Sequence, residues 1–354
     1  MGEKVLMKGN EAIAEAAIRA GCKMFFGYPI TPQTELAAYM AKRLPKIEGG
    51  VFLQAESEVA AINMVYGAAS AGKRVLTSSS SPGISLKSEG ISYIAGSDLP
   101  CVIINIVRGG PGLGGIQPAQ SDYFQATKGG GHGDYKMIVL APGSIQEIVD
   151  ITKDAFELGE KYRMPVMIMG DGMLGQMMEP IEFPEEGETV VPERPYATNG
   201  TKMKREHNII NSLYIDPAEL EKTVIERYKR YELVAKNETR VEEYMTDDAE
   251  YIIAAYGTIA RVAKSAIAAL RAEGIKVGLI RPITLWPFPE AAFKKAAAKV
   301  SGILDVEMSM GQMVEDVRLS VNGACPVEFF GRTGGVIPTP GEICDALKKM
   351  KEGK

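Results

Sequence analysis

Three short stretches hold the side chains best suited to chemistry. In Gln54-Ala55-Glu56-Ser57-Glu58-Val59, two carboxylates flank a serine at the head of a run with helical apolar spacing. Ser57 suits an N-cap and the acids complement a helix dipole, which on the residues alone is the simpler account. A carboxyl group there can also hold or pass a proton. Arg108 closes the apolar run CVIINIV at 101–107 and is followed by a glycine-rich loop. A guanidinium fixed at a strand's carboxyl end, beside backbone that can approach closely, suits a carboxylate ligand; the plain alternative is a surface ion pair. The third stretch is Tyr28-Pro29-Ile30-Thr31-Pro32-Gln33-Thr34-Glu35. Thr31-Pro32 before a helical pattern reads as an N-cap with proline at the first helical position. A strand end, turn and helix start also make a ligand-binding corner in open α/β sheets.

Two motifs imitate cofactor signatures. Gly110-Pro111-Gly112-Leu113-Gly114-Gly115 spells G-x-G-x-x-G after a strand. A dinucleotide fingerprint needs that loop to open into a helix, and Ile116-Gln117-Pro118 does not provide one. Gly170-Asp171-Gly172 is half of a Gly-Asp-Gly…Asn-Asn signature for a Mg²⁺-bound diphosphate, but Asn199 is followed by Gly200. One aspartate without its partner makes a poor Mg²⁺ site, so a strand end turning at Gly172 is expected. His132 and His207 are the two histidines, and Cys22, Cys101, Cys325 and Cys344 form no Cys-x-x-Cys pair. A histidine-based triad, a zinc ribbon and an iron–sulfur cluster within this chain are therefore not expected. Chemistry would come from carboxylates, an arginine, backbone groups or a cofactor.

The 354 residues, 45% hydrophobic and 24% charged, belong to an ordinary globular class, and the length favours two domains. A net charge of −5 without a basic block gives no footing for nucleic acid or an anionic membrane surface. No apolar run approaches the ~20 residues needed to span a bilayer. The N-terminal stretch turns polar and helical too early for a signal peptide, and a cytoplasmic location is expected. Widely spaced cysteines read as reduced, mostly buried thiols.

The elements that must position these residues alternate. Helical spacing covers 9–20, 34–44, 57–71, 84–95 and 144–160, and strand-like runs cover 23–28, 51–54, 74–78, 101–107, 136–140 and 165–169. This order predicts a parallel sheet covered on both faces over residues 1–180. Residues 181–247 read as a wrapping linker followed by a long charged helix over 216–246. Alternation resumes over 248–354, which predicts a second, smaller α/β domain.

Taken together, GYPITPQTE, SEVAAINMVYGAASAGKRVLTSSSSPGISL, NIVRGGPG, MGDGMLGQMMEP, IRPITLWPFP and VEMSMGQM resemble the alpha-type subunit of 2-oxoacid:ferredoxin oxidoreductases, over essentially the whole chain. Within that family the likeness is greatest to the branched-chain (3-methyl-2-oxobutanoate, or ketoisovalerate) enzyme. The resemblance implies an α/β fold: a thiamine-diphosphate pyrimidine-binding-type domain and a smaller domain like the transketolase C-terminal domain. It implies oxidative decarboxylation of a 2-oxoacid with coenzyme A to acyl-CoA, CO₂ and reduced ferredoxin. It places the diphosphate and Mg²⁺ on a separate beta-type subunit. It places the iron–sulfur clusters on further chains, with a gamma-type and a ferredoxin-like subunit completing the complex. Glu58, not Glu56, then matches the glutamate that hydrogen-bonds the cofactor's pyrimidine ring and so helps generate its nucleophilic carbon. Val59 and Ile62 are expected to give it an apolar surround that strengthens this bond. Thr31 and Arg108 match substrate-contacting positions, Arg108 facing the carboxylate. Leu113 and Ile116 in the glycine loop, without a second cation, favour a branched aliphatic tail. The same subunit acting on 2-oxoglutarate, a non-catalytic assembly scaffold and a lipoate-using dehydrogenase subunit stand as alternatives.

Overall fold

The computed structural model describes residues 4–184, 191 and 193–353. Its first half runs β1 (Val5–Lys8), α1 (Gly9–Arg19), β2 (Met24–Gly27), α2 (Thr34–Arg43), β3 (Val51–Gln54), α3 (Glu58–Ser70), β4 (Val75–Ser79) and α4 (Pro82–Gly96). It continues with β5 (Cys101–Val107), α5 (Tyr123–Thr127), β6 (Ile138–Leu140), α6 (Ile145–Tyr162), β7 (Pro165–Asp171), α7 (Gly172–Gln176) and β8 (Met178–Ile181). After a linker come α8 (Pro217–Asn237), β9 (Val241–Tyr244), β10 (Tyr251–Ala254), α9 (Gly257–Ala272), β11 (Val277–Pro282) and β12 (Thr284–Trp286). The chain closes with α10 (Glu290–Ala297), β13 (Gly302–Glu307), α11 (Met313–Val321), β14 (Val327–Gly331) and α12 (Pro340–Lys351).

The main sheet has seven strands in the order β12-β6-β7-β5-β4-β2-β3. Strands β2 to β7 are mutually parallel, as the uninterrupted apolar runs require: every residue of β5 is buried. Helices α1, α2 and α6 cover one face through Ile13, Leu36, Met40 and Ile148. Helices α3 and α4 cover the other, joined by Ile252, Ala254 and Ile303 of the second sheet. That second sheet runs β14-β13-β10-β11-β9. Strand β12, from the later half of the chain, pairs antiparallel with β6 at the edge of the first sheet.

The sheet order sets the place of the site. From β2 the chain steps outward to β3, then returns past β2 to β4. Helices α2 and α3 therefore leave on opposite faces, and a crevice opens at the carboxyl ends of β2 and β4. In open α/β sheets ligands bind at such a switch point. The side chain of Gln33 bridges it, accepting from Ser78 Oγ at 2.6 Å and donating to the Tyr28 carbonyl at 3.3 Å.

Three local expectations change. The charged helix expected over 216–246 ends at Asn237, and Val241–Tyr244 is strand β9, antiparallel to β11. Edge pairing and the Glu242 bond to Arg281 Nε (2.6 Å) override helical propensity there. Thr31 is not an N-cap: α2 starts at Thr34 with Gln33 in the cap position, and Thr31-Pro32 is a cis peptide in the preceding turn. Strands β1 and β8 pair as a separate ribbon that residue patterns did not signal. Part of the Pro-containing linker, residues 185–190 and 192, lies outside the described residues.

Candidate functional site

Ser57 caps α3 by accepting the Ala60 N–H at 3.2 Å, which makes Glu58 the first helical residue. Glu58 is only 6% exposed, whereas Glu56 is exposed. Among the described residues no hydrogen-bond donor reaches the Glu58 carboxylate. Gly83, in the first turn of α4, lies against it: a Cβ at that position would sit 2.8 Å from Glu58 Oε1 and 2.1 Å from Ser79 Oγ. The Ser79 and Ser80 hydroxyls are themselves buried without a partner. A buried carboxylate, two unmatched hydroxyls and a glycine that keeps the backbone close form a cradle shaped for a polar ligand. The apolar surround expected of Val59 is absent, because Val59 turns outward and is 45% exposed. One turn beyond Gly83 on α4 is Lys87, fully buried, donating to Thr77 Oγ1 (2.7 Å) and the Ser78 carbonyl (3.0 Å).

Arg108 emerges from β5 at the same edge. Its NH1 donates to the Thr31 carbonyl at 2.8 Å and its NH2 to the Leu113 carbonyl at 3.1 Å, while Nε is buried and unmatched. No carboxylate pairs with it among the described residues, so it is not a surface ion pair. Thr31 and Arg108, 77 residues apart, thus meet across the crevice. The serine run Ser78–Ser81 ties this edge together. Ser81 Oγ accepts the Arg108 N–H at 3.1 Å, and its N–H donates to Asn105 Oδ1 at 3.2 Å. Asn105 then donates to Asp122 Oδ2 at 2.9 Å; burial raises the Asp122 pKa against that bond.

The glycine loop closes on itself rather than opening into a helix. Arg108 and Pro118 form an isolated bridge, Gly109 N donates to Gln117 O at 3.0 Å, and Gly115 N to Gly109 O at 2.8 Å. Gly114 has φ +55°, and a Cβ there would fall 1.9 Å from the Gly109 carbonyl, so only glycine fits. The loop lifts Leu113 (87% exposed) and Ile116 out of the surface. Past it, Gln120 anchors the chain to the second domain: its backbone N–H donates to the Met308 carbonyl, its side-chain oxygen accepts the Met308 N–H, and its side-chain NH₂ donates to the Tyr256 carbonyl at 3.0 Å.

Asp171 ends β7 and caps α7, accepting Met173 N at 2.9 Å and Leu174 N at 3.1 Å; its other oxygen accepts from Thr258 Oγ1. Both oxygens are engaged within the fold. Asn199 lies at the amino-terminal edge of the sheet, beside Lys73 and Arg74, and does not approach Asp171.

The profile described as pyruvate flavodoxin/ferredoxin oxidoreductase, thiamine diphosphate-binding, matches residues 15–246, and that of pyruvate:ferredoxin oxidoreductase core domain II matches 249–343. Ketoisovalerate oxidoreductase subunit VorB of Methanothermobacter marburgensis is 50% identical over 98% of this chain and 97% of its own length. The chain belongs to the 2-oxoacid:ferredoxin oxidoreductases, as a subunit of the alpha type. A 2-oxoglutarate synthase subunit KorA of Methanothermobacter thermautotrophicus is 38% identical over 99% of the chain and all of its own. The solved 2-oxoglutarate:ferredoxin oxidoreductase of Magnetococcus marinus superposes with TM-score 0.88 at 30% identity, over 98% of this chain and 65% of that longer one. A split-gene transketolase, at TM-score 0.61 and 16% identity over 99% of this chain and 98% of its own, shares the fold. Proteins of this oxidoreductase family work as complexes. Of the residues that sequence reasoning passed over, Gly83 and Ser78–Ser81 lie in the quoted segment that ends at Leu86, and Lys87 directly follows it. Four consecutive serines between a strand and a helix were their one visible signal.

Proposed function

We propose that this chain supplies the pyrimidine-side half of a thiamine-diphosphate site in a complex that oxidatively decarboxylates a branched-chain 2-oxoacid, with coenzyme A and ferredoxin as co-substrates. The observation that carries this reading is the buried, unmatched Glu58 carboxylate in the switch-point cradle. Thiamine diphosphate, when bound, supplies the carbon nucleophile and the electron sink. With the cofactor bound, Glu58 would share a proton between its carboxyl oxygen and the pyrimidine ring, and the buried cradle would keep water from competing for that bond. Arg108 is held at the crevice by the Thr31 and Leu113 carbonyls, and its guanidinium is the group proposed to meet the substrate carboxylate. Thr31 forms the opposite wall. Leu113 and Ile116 offer the tail an apolar contact, in keeping with the ketoisovalerate relatives.

Because Asp171 is committed to its cap, the diphosphate and Mg²⁺ fall to a beta-type partner subunit. The iron–sulfur clusters fall to partner chains, the ferredoxin-like subunit among them, and a gamma-type subunit completes the complex. The test is a substrate panel on the assembled complex, read by viologen reduction, with Glu58→Gln and Glu56→Gln beside the wild type. Glu58→Gln lowers turnover by roughly 10²–10⁴ while Glu56→Gln changes it little. Unchanged turnover in Glu58→Gln supports a scaffold instead. A higher kcat/KM for 2-oxoglutarate than for 3-methyl-2-oxobutanoate overturns the substrate assignment.

A further inference from the structure

We propose that Lys87 is a positioning residue for Glu58, a buried cation set one helical turn beyond the glycine that the carboxylate touches. The inference rests on the assignment of Glu58 above. Gly83 and Lys87 are four residues apart on α4 and so share a face. Gly83 touches Glu58, and Lys87, one turn farther along α4, is within reach of its charge. The Lys87 side chain is fully buried, yet its two polar partners, Thr77 Oγ1 and the Ser78 carbonyl, are neutral. An ammonium carries three N–H donors and is costly to bury beside neutral groups alone. A leucine or methionine would fill this core position without that penalty.

The charged and titratable groups that face Lys87 are few. Thr77 and Ser78 of β4 are neutral. Cys101 of β5 is a neutral thiol, its pKa pushed up to about 12 by burial. Glu58 of α3 is the remaining anion that acts on it among the described residues. Burial pulls Lys87 down to about 7, with Glu58 opposing that fall. Lys87 therefore carries its charge below about pH 7 and sheds it above. A positive charge near Glu58 strengthens the hydrogen bond that its side chain makes to a ring nitrogen. The hold that Lys87 has on the site fades as pH rises through neutrality.

The experiment measures thiamine diphosphate binding by titration calorimetry with Mg²⁺, on the assembled complex. It compares wild type, Lys87→Met, Glu58→Gln and the double variant at about pH 6 and about pH 8.5. At the lower pH, Lys87→Met weakens binding on the order of tenfold, the effect of removing one nearby opposite charge. At the higher pH, Lys87→Met and wild type converge. In the Glu58→Gln background, adding Lys87→Met changes affinity less than about twofold, as coupling through one residue requires. Thermal melting of Lys87→Met stays at or above wild type, which a merely structural lysine would not allow. Lys87→Gln, which retains a donor to Thr77 without charge, gives the same loss. Wild-type affinity at pH 6 in either Lys87 variant overturns the inference, and so does a tenfold loss that persists in the Glu58→Gln background. A Glu58→Gln complex that binds the cofactor normally instead removes the Glu58 assignment itself.

Discussion

Gly83→Ala probes the cradle without altering any charge. Gly83 does not have positive φ, so alanine adopts its backbone and lowers unfolded-state entropy, a gain of about 0.4–1 kcal/mol. The added methyl would nevertheless lie 2.1 Å from Ser79 Oγ and 2.8 Å from Glu58 Oε1. Overpacking of this kind costs about 1–3 kcal/mol, which leaves a net stability loss of roughly 0–2.5 kcal/mol. Relief to ordinary contact moves the carboxylate by several tenths of an ångström. Misplacements approaching 1 Å cost on the order of 10²-fold in rate, so turnover should fall about 10- to 100-fold. Adding Ser79→Ala removes the closer clash and restores stability, but leaves Glu58 displaced and turnover low. Gly90→Ala is the control. Its methyl would meet Ile62 Cγ2 at 2.5 Å, straining the same α3–α4 contact away from the carboxylate. Viologen reduction by the assembled complex, paired with thermal melts, separates the two. Full activity in Gly83→Ala, or equal loss in Gly90→Ala at matched stability, refutes the geometry assigned to Glu58.

Two further outcomes are expected. Arg108→Lys keeps the charge but cannot serve the Thr31 and Leu113 carbonyls and the substrate together; KM for the 2-oxoacid rises roughly 10- to 100-fold, the equivalent of one charge-assisted bond, while coenzyme A and ferredoxin parameters stay near normal. Unchanged KM in steady-state kinetics would count against the assignment. Asp305 in β13 is fully buried with both oxygens unmatched, and burial plus the adjacent Glu307 carboxylate hold its pKa well above the usual carboxylate range. Because the folded state keeps that proton longer than the unfolded state, stability is complete below the unfolded value of about 4 and declines as pH rises above it. Asp305→Asn, a neutral isostere, lacks that decline. Its advantage over wild type in urea midpoints grows from pH 4 upward by as much as about 1.4 kcal/mol per unit; parallel curves would disprove it.

Much of the scaffold was legible because its signals are local. The unbroken apolar run of β5 identifies a strand buried on both faces, and Ser57 followed by apolar residues at helical spacing marks the start of α3. The failure of Gly110–Gly115 to open into a helix was readable from Pro118. Where tertiary contacts outweigh propensity, local reading went astray. Val241–Tyr244 continues a helical charge pattern, yet pairs with β11 and engages Arg281; Thr284–Trp286 leaves its own half of the chain to edge the first sheet.

The site divides the same way. The resemblance carried by the quoted motifs put forward Glu58 over Glu56, together with Thr31 and Arg108, because motif spacing survives without coordinates. Folding alone decided that Thr31 offers its carbonyl to Arg108 from 77 residues away, that Val59 faces outward, and that Gly83 lies against Glu58 with Lys87 buried one turn beyond it. Helix periodicity defines which residues of α4 share a face, but not which carboxylate that face meets. That depends on the crossover returning β4 beside β2, a pairing of distant segments that no local pattern encodes.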